Sequence, residues 1–96
     1  MPAYLIVHVT VNDADRYAQY RALSLPSLAW HGGIVLAADD RPVSLEGEWP
    51  GPRTVVVRFD SVDTARAWYD SPEYAEVRRI RQASTSSSLA IVEGLA

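Results

Sequence analysis

A short β-branched segment between two tryptophan-containing segments most constrains the fold of this 96-residue chain. Residues Thr54–Phe59 read Thr-Val-Val-Val-Arg-Phe, a composition typical of a β-strand. The preceding segment, Glu46–Arg53, contains Trp49 and the run Pro-Gly-Pro, which cannot form regular sheet. The following segment, Ala67–Tyr74, contains Trp68 and has helical spacing. The sequence therefore predicts a strand that follows an irregular loop and precedes a helix.

Three other segments have the β-branched and apolar composition of strands. They are Tyr4–Val11, Ile34–Ala38 and Leu89–Val92. A short irregular strand is expected over Val43–Trp49, and the serine-rich residues 83–88 are expected to form a polar loop. Four regular strands follow from these patterns.

Capping residues and glycines set the expected ends of the helices. Asn12 is expected to cap the first helix, and Pro26 to break or kink it because proline lacks the amide proton. Gly32 suits the left-handed stop after this helix. Ser61 should cap the second helix, and Ser71 should cap a new helical start. The resulting order, β-α-β-β-α-β, predicts an α+β, ferredoxin-like fold with an antiparallel sheet and its helices on one face.

The alternation of side chains gives the predicted sheet two different faces. Leu5, Val7, Val9 and Val11 share a face that suits the helices. The other face carries Tyr4, Ile6, His8, Thr54, Val56, Arg58, Ala90 and Val92. This set is too apolar for water and too polar for a dry core, so we expect a second copy to pack sheet to sheet. The expected protein is one domain, residues 1–96, that pairs as a homodimeric α+β barrel.

The composition excludes several classes of protein. The chain has no cysteine, so it has neither disulfides nor thiolate metal ligands. Its formal net charge of -3 gives no general attraction for nucleic acid. Its apolar runs are far shorter than the roughly 20 residues that span a membrane, and its start does not resemble a signal peptide. We expect a cytoplasmic protein with no nucleic-acid or membrane partner and no cofactor.

The two tryptophan-containing segments and the strand between them resemble domain-of-unknown-function family 1330. The resemblance extends to His31-Gly32-Gly33, Arg78, Arg81 and Glu93-Gly94, and it covers nearly the whole chain. It implies the dimeric α/β barrel superfamily, which includes cofactor-free oxygenases, isomerases and ligand-binding modules. The family has no agreed reaction, so the resemblance assigns no catalytic residue.

Four residues are candidates for a ligand-binding site in the barrel lumen: His8, Glu46, Trp49 and Arg58. His8 is either a general base or ligand contact, or a hydrogen-bonded histidine at the dimer seam. Arg58 needs an anionic partner, and Glu46 or Glu48 is favoured over a ligand carboxylate. Trp49 is expected to form a pocket wall or a dimer contact. We expect His8 and Arg58 to point into the lumen, within reach of one shared anion or of Glu46 or Glu48.

Other polar and aromatic residues have simpler interpretations. His31 is expected to stabilise a helix end, and Trp68 is expected in the core. Arg78, Arg79 and Arg81 are expected to form a solvated face, with anion binding as the alternative. No metal site is expected, because two histidines far apart in sequence, without suitably spaced carboxylates, are weak evidence for one.

Two functional hypotheses remain from the sequence. The first is a pocket that binds a small molecule in the lumen, with cofactor-free isomerase or oxygenase-like chemistry if the protein is an enzyme. The alternative is a non-enzymatic dimer that binds a ligand or serves as an interaction module. An open lumen favours the first hypothesis, and a filled lumen favours the second.

Overall fold

The computed structural model describes residues 1–95, which form one four-stranded antiparallel sheet and three helices. The elements in chain order are β1 (Ala3–Val11), α1 (Ala14–Trp30), β2 (Ile34–Asp39), β3 (Arg53–Phe59), α2 (Val62–Tyr69), α3 (Pro72–Ser84) and β4 (Thr85–Glu93). The strand order is β2-β3-β1-β4, with β1 and β3 at the centre. The ferredoxin-like α+β fold predicted from the sequence is confirmed.

The strand register confirms the two predicted faces of the sheet. Ala3, Leu5, Val7 and Val9 are all buried, whereas Val11, at the end of β1, is exposed. On the opposite face, Tyr4 lies across from Arg58 and Val92, Ile6 from Val56 and Ala90, and His8 from Thr54 and Ser88. We call this second surface the open face, because its residues are half-buried or exposed.

Serine caps begin two of the helices where the sequence predicts them. The Ser61 hydroxyl accepts a hydrogen bond from the backbone of Thr64, and the Ser71 hydroxyl accepts one from the backbone of Tyr74. The first helix differs by one residue, since Asp13 rather than Asn12 is its cap. The backbone N–H of Asn12 instead donates to the backbone oxygen of Ser84, and this bond holds Asn12 against the end of α3. Gly32 follows α1 with φ 74°, the left-handed conformation expected there.

The expected break at Pro26 is wrong, because α1 continues through it from Ala14 to Trp30. Serine hydroxyls next to the proline bond to helix carbonyls. Ser27 donates to the Ser24 oxygen at 2.7 Å, and the Trp68 indole donates to the Ser27 hydroxyl at 3.1 Å. Packing of Ser24 and Ser27 against the interior therefore holds a helix that local propensity disfavours.

Two other segments also differ from the sequence prediction. Val43–Trp49 forms no strand, and the loop between β2 and β3 contains Gly47 and Gly51 with φ near +70°. Residues 83–88 form no loop, because α3 runs to Ser84 and β4 begins at Thr85. Ser86, Ser87 and Ser88 belong to β4, an edge strand that pairs with β1 and has one polar face.

The core lies between the helices and the sheet. Its largest fully buried side chains are Trp68, Tyr74 and Phe59. The Trp68 ring lies 4.0 Å from that of Tyr74 and 5.8 Å from that of Phe59, measured between centroids. The expectation that Trp68 is a core residue is confirmed. No helix within residues 1–95 is long and apolar enough to cross a membrane.

Candidate functional site

A cavity of about 200 Å³ lies between α1 and the buried face of the sheet. Its walls are mainly aliphatic and aromatic, with Leu5, Val7, Val9, Leu28, Val55, Val57, Trp68 and Leu89 among them. Four exposed residues also line it, Arg21 and Leu25 from α1 and Val35 and Ala38 from β2. The cavity therefore opens to solvent between α1 and the edge strand β2. We call it the α1 cavity.

The first buried arginine of the α1 cavity, Arg53, begins β3 opposite Val9. Its Nε donates to the Tyr17 hydroxyl at 3.0 Å, and its Nη1 contacts Oδ1 of Asp40 at 2.7 Å. The hydrogen bond from Arg53 lowers the pKa of the exposed Asp40 carboxyl. Burial opposes the charge of Arg53, but the contacts with Asp40 and Tyr17 outweigh burial and raise its pKa. Arg53 is therefore a cation with a carboxylate partner.

The second buried arginine, Arg81 of α3, is only 3% exposed. Its Nε donates to the Tyr74 hydroxyl at 3.3 Å, and its Nη1 donates to the Ser87 hydroxyl at 2.6 Å. Within residues 1–95, none of the ion pairs involves Arg81. Burial opposes its charge, but the interactions with Tyr74, Tyr20 and Tyr69 together outweigh burial and raise the pKa of Arg81. Arg81 is therefore a buried cation whose protein partners in the described chain are neutral hydroxyls.

The expected solvated arginine face holds for only part of α3. Arg79 is exposed and pairs with Glu76 at 3.0 Å. Arg78 is half-buried, lies over the Tyr69 ring and donates to the Tyr69 backbone oxygen. Arg81 contradicts the expectation, because its position on the helix turns it towards the interior with Tyr74.

Three tyrosines connect the two arginines across the α1 cavity. The rings of Tyr17 and Tyr20 stack with centroids 5.6 Å apart, and the hydroxyls of Tyr20 and Tyr74 are 2.8 Å apart. Burial, and then proximity to Tyr74, raises the pKa of Tyr20 well above its ordinary value. Tyr20 therefore keeps its proton at neutral pH and can serve as a hydrogen-bond donor.

The structure places His8 and Trp49 together on the open face. Their rings meet edge to face with centroids 5.1 Å apart, and the Trp49 indole donates to the Thr54 hydroxyl at 2.8 Å. The Nδ1 atom of His8 is buried and has no hydrogen-bond partner within residues 1–95. The β2–β3 loop thus brings Trp49 over the end of the open face, while the α1 cavity lies on the other side of the sheet.

Arg58 and Glu46 are not brought to the same place as His8. Arg58 lies across from Tyr4, four register positions from His8, or about 13 Å along the strand. The register therefore does not bring His8 and Arg58 together, and a shared anion stays a prediction. Arg58 contacts Asp60 at 3.5 Å rather than Glu46 or Glu48, and Glu46 is exposed in the β2–β3 loop.

Neither histidine belongs to a recognisable metal site. Among the described residues, no group of three or more histidine, aspartate or glutamate side chains could hold a metal ion. His31 follows the last turn of α1, and its Nε2 lies 3.8 Å from Glu73 at the start of α3. This contact ties the end of α1 to α3, in keeping with a structural role.

A family model described as a domain of unknown function, DUF1330, matches residues 2–95. The chain belongs to this family. A protein of unknown function from Rhodopseudomonas palustris is 22% identical, with a TM-score of 0.82 over 99% of this chain and 83% of that chain. HapK from Hahella chejuensis is 14% identical, with a TM-score of 0.67 over 98% and 93% of the two chains.

A third similar structure is SnoaB, a cofactor-independent oxygenase from Streptomyces nogalater. It is 11% identical, with a TM-score of 0.64 over 99% of this chain and 94% of SnoaB. At these identities the likenesses show the fold alone. Comparison with curated proteins gives no match.

For this DUF1330 member, the sequence interpretation missed the polar residues of the α1 cavity. A signal for each was present. Arg53 shares the alternation of Val55, Val57 and Phe59, the buried face of β3. Arg81 lies seven positions after Tyr74, so the two share a helix face. Arginines at core positions of two elements indicate a polar site inside the fold.

Proposed function

We propose that this protein binds a small, mainly apolar molecule in the α1 cavity. The observation that carries the proposal is an enclosed, largely apolar space of about 200 Å³ with a mouth at the protein surface. An apolar cavity of about 150 Å³ accepts benzene in a well-studied protein, so this space suits a ligand with a single substituted ring. The few polar groups, Tyr17, Tyr20, Arg53 and Arg81, supply orientation and specificity, as in other ligand pockets.

We also propose that the protein is a homodimer joined through the open face. Tyr4, Ile6 and Val56 are only half-buried there, and β2 exposes Ile34 and Leu36 at the sheet edge. A domain this small gains much by covering such a surface. His8, Glu46, Trp49 and Arg58 stay the predicted contacts of a ligand in the lumen. The contact between the His8 and Trp49 rings supports their assignment to one site. The Nδ1 atom of His8 has no partner among residues 1–95 and could accept a hydrogen bond from the second copy.

Cofactor-free chemistry on the bound molecule is the second candidate function. Its support is the fold shared with SnoaB, a cofactor-independent oxygenase, together with tyrosines that can hold or pass a proton inside an apolar space. Oxygen consumption in the presence of an enolisable aromatic compound distinguishes this candidate from binding alone.

Binding in the α1 cavity is tested with neutral aromatic amides. Benzamide, phenylacetamide and 3-phenylpropanamide are titrated into ¹⁵N-labelled protein, and the indole signals are followed. Trp68 lines the α1 cavity, whereas Trp30 and Trp49 do not, so only the Trp68 signal should shift. A Trp49 shift without a Trp68 shift would favour the lumen and sink the proposal.

Two variants of α1 provide a matched pair for the same test. Leu25 is exposed and lines the mouth, so Leu25→Trp should narrow the mouth and lower amide affinity about tenfold or more. Leu23 is also exposed but lies outside the lining, so Leu23→Trp should leave the affinity unchanged. Equal affinities for both variants would contradict entry between α1 and β2.

A further inference from the structure

The hydrogen bonds around the α1 cavity have a fixed direction, because arginine can only donate. Arg53 donates to the Tyr17 hydroxyl at 3.0 Å, so the Tyr17 oxygen is an acceptor in that bond. Among residues 1–95, the bond from Arg53 is the hydrogen bond that the Tyr17 hydroxyl makes. Tyr17 is buried and lines the α1 cavity, so its own proton remains to be donated there.

The same reasoning applies to Tyr20 through Tyr74. Arg81 donates to the fully buried Tyr74 hydroxyl, whose other contact is the Tyr20 hydroxyl at 2.8 Å. Either hydroxyl could donate in this bond, but a proton without an acceptor costs more on the fully buried Tyr74 than on Tyr20, which lines the α1 cavity, so we assign Tyr74 as the donor. The proton of Tyr20 is then left without an acceptor in the described chain. Tyr20 also lines the α1 cavity, and its ring stacks on that of Tyr17. Two neighbouring phenols thus have protons to donate to the same space.

The charge around the α1 cavity is positive. In the described chain its lining includes three arginines and no aspartate or glutamate. Asp40 compensates Arg53 from outside the lining, at 2.7 Å. Arg81 has no such compensation, although it is nearly as buried as the core. A buried cation that has only neutral partners favours the arrival of an anion.

The register brings these features to one end of the α1 cavity. Val9 of β1 lies opposite Arg53 on one side and Ser87 on the other, and Arg81 donates to Ser87 at 2.6 Å. The two arginines therefore flank Val9 at the same level of the sheet. The opposite end, with Leu5, Val57 and Trp68, is apolar. An occupant would place a charged group beside the arginines and a ring against the apolar wall.

From this arrangement, and resting on the proposed function, we infer that the natural ligand is a mainly apolar molecule with one anionic group. Its oxyanion accepts from the Tyr17 and Tyr20 hydroxyls, and Arg81 supplies the counter-charge. A carboxylate on a single ring is the simplest member of this class. A single-ring compound that forms an enolate or phenolate also presents a negatively charged oxygen as the acceptor.

The experiment compares three carboxylates with their neutral amides: benzoate, phenylacetate and 3-phenylpropanoate against benzamide, phenylacetamide and 3-phenylpropanamide. Affinities come from calorimetry, and the Trp68 indole signal reports the location. At least one carboxylate should bind about tenfold or more tightly than its amide, since hydrogen bonds to charged groups are the stronger ones. Tyr17→Phe and Tyr20→Phe should each weaken that carboxylate about tenfold and its amide less.

Variants of α3 separate charge from structure. Arg81→Met should abolish the preference for the carboxylate, while Arg81→Lys should retain most of it because the charge remains. Arg79→Gln removes one positive charge from the exposed face of the same helix, and it should leave every affinity unchanged. The tyrosine variants keep the test valid if Arg81→Met does not fold.

The outcomes distinguish this inference from the proposed function. Equal binding of carboxylates and amides, with a shifted Trp68 signal, would overturn the anion inference and leave the proposed function standing. Failure of all six compounds to shift the Trp68 signal would overturn both. An anion preference that survives Arg81→Met and both tyrosine variants would also overturn the inference.

Discussion

Replacing Arg81 by methionine tests whether this guanidinium lacks a counter-ion in the folded protein. Arg81 is 3% exposed, and its partners are the hydroxyls of Tyr74 and Ser87. Methionine has no charge and matches the aliphatic stem of arginine only as far as the position of Nε, so it keeps the packing of the stem and removes the guanidinium. Tyr74 keeps its hydrogen bond to Tyr20 in the variant, and Ser87 keeps its contact with Thr85 at 3.2 Å.

Two opposing contributions set the expected magnitude. The variant loses two charge-assisted hydrogen bonds, each of about 1.5 to 3 kcal/mol. It also loses the penalty for burying an ion, which amounts to several kcal/mol. Replacement of buried ionic groups by apolar ones is often neutral or stabilising by about 1 to 4 kcal/mol. We therefore expect Arg81→Met to leave the free energy of unfolding unchanged, or to raise it by up to about 2 kcal/mol.

Urea unfolding at neutral pH and fixed protein concentration measures this difference. Arg79→Met is the control for removal of a charge from the exposed face of α3. Arg81→Ala should destabilise, because it removes the packing of the long side chain as well as the charge. A loss of more than about 2 kcal/mol in Arg81→Met would approach the 3 to 5 kcal/mol of a broken buried ion pair. That result would mean that an anionic group already compensates Arg81, and the inferred ligand class would fall with it.

Three other predictions concern the core, pH and assembly. Trp68→Ala should lower the free energy of unfolding by about 3 to 5 kcal/mol in urea melts, because the ring is fully buried against Tyr74, and a loss below about 1 kcal/mol would contradict its core role. Arg53 lowers the pKa of Asp40 in the folded protein, so ionised Asp40 stabilises the fold at pH values above its unfolded pKa of about 3.9. This stabilisation is lost as the pH falls through the folded pKa. Urea melts at pH 7 and pH 3 should therefore show a smaller loss for Asp40→Asn than for wild type, and equal losses would argue against the pair with Arg53. Light scattering at micromolar concentration should give the mass of a homodimer, whereas a well-folded monomer would refute the argument from the open face.

The sequence was sufficient to predict what depends on local pattern. Alternation along β1 assigned Leu5 and Val7 to the helix-covered face, because one face of a half-buried strand is consistently apolar. The caps Ser61 and Ser71 were also predictable, since each hydroxyl is positioned by its own helix. Trp68 was recognisable as core from its helical spacing.

What depends on alignment between distant segments was not predictable. Alternation places His8 and Arg58 on one face, but it does not give the register of β1 against β3. The register pairs His8 with Thr54 and Tyr4 with Arg58, so the two polar residues lie apart. Likewise, Pro26 disfavours a continuous helix locally, and only contacts from the Trp68 indole and the neighbouring serines show why α1 persists.

The α1 cavity follows from an uneven distribution of large side chains in a thin core. Trp68, Phe59 and Tyr74 pack against one another, whereas two of the four buried residues of α1 are the small Ser24 and Ser27. At about 24 cal/mol per Å³, a space of about 200 Å³ that excluded water would cost up to about 5 kcal/mol, and water entering through the mouth lowers that cost. A domain of this length has a total stability of only about 5 to 14 kcal/mol. Burial of Arg81 without a carboxylate adds to this cost. Larger side chains on α1 would remove the first penalty but would not compensate Arg81. An occupant that fills the space and carries a negative charge would remove both.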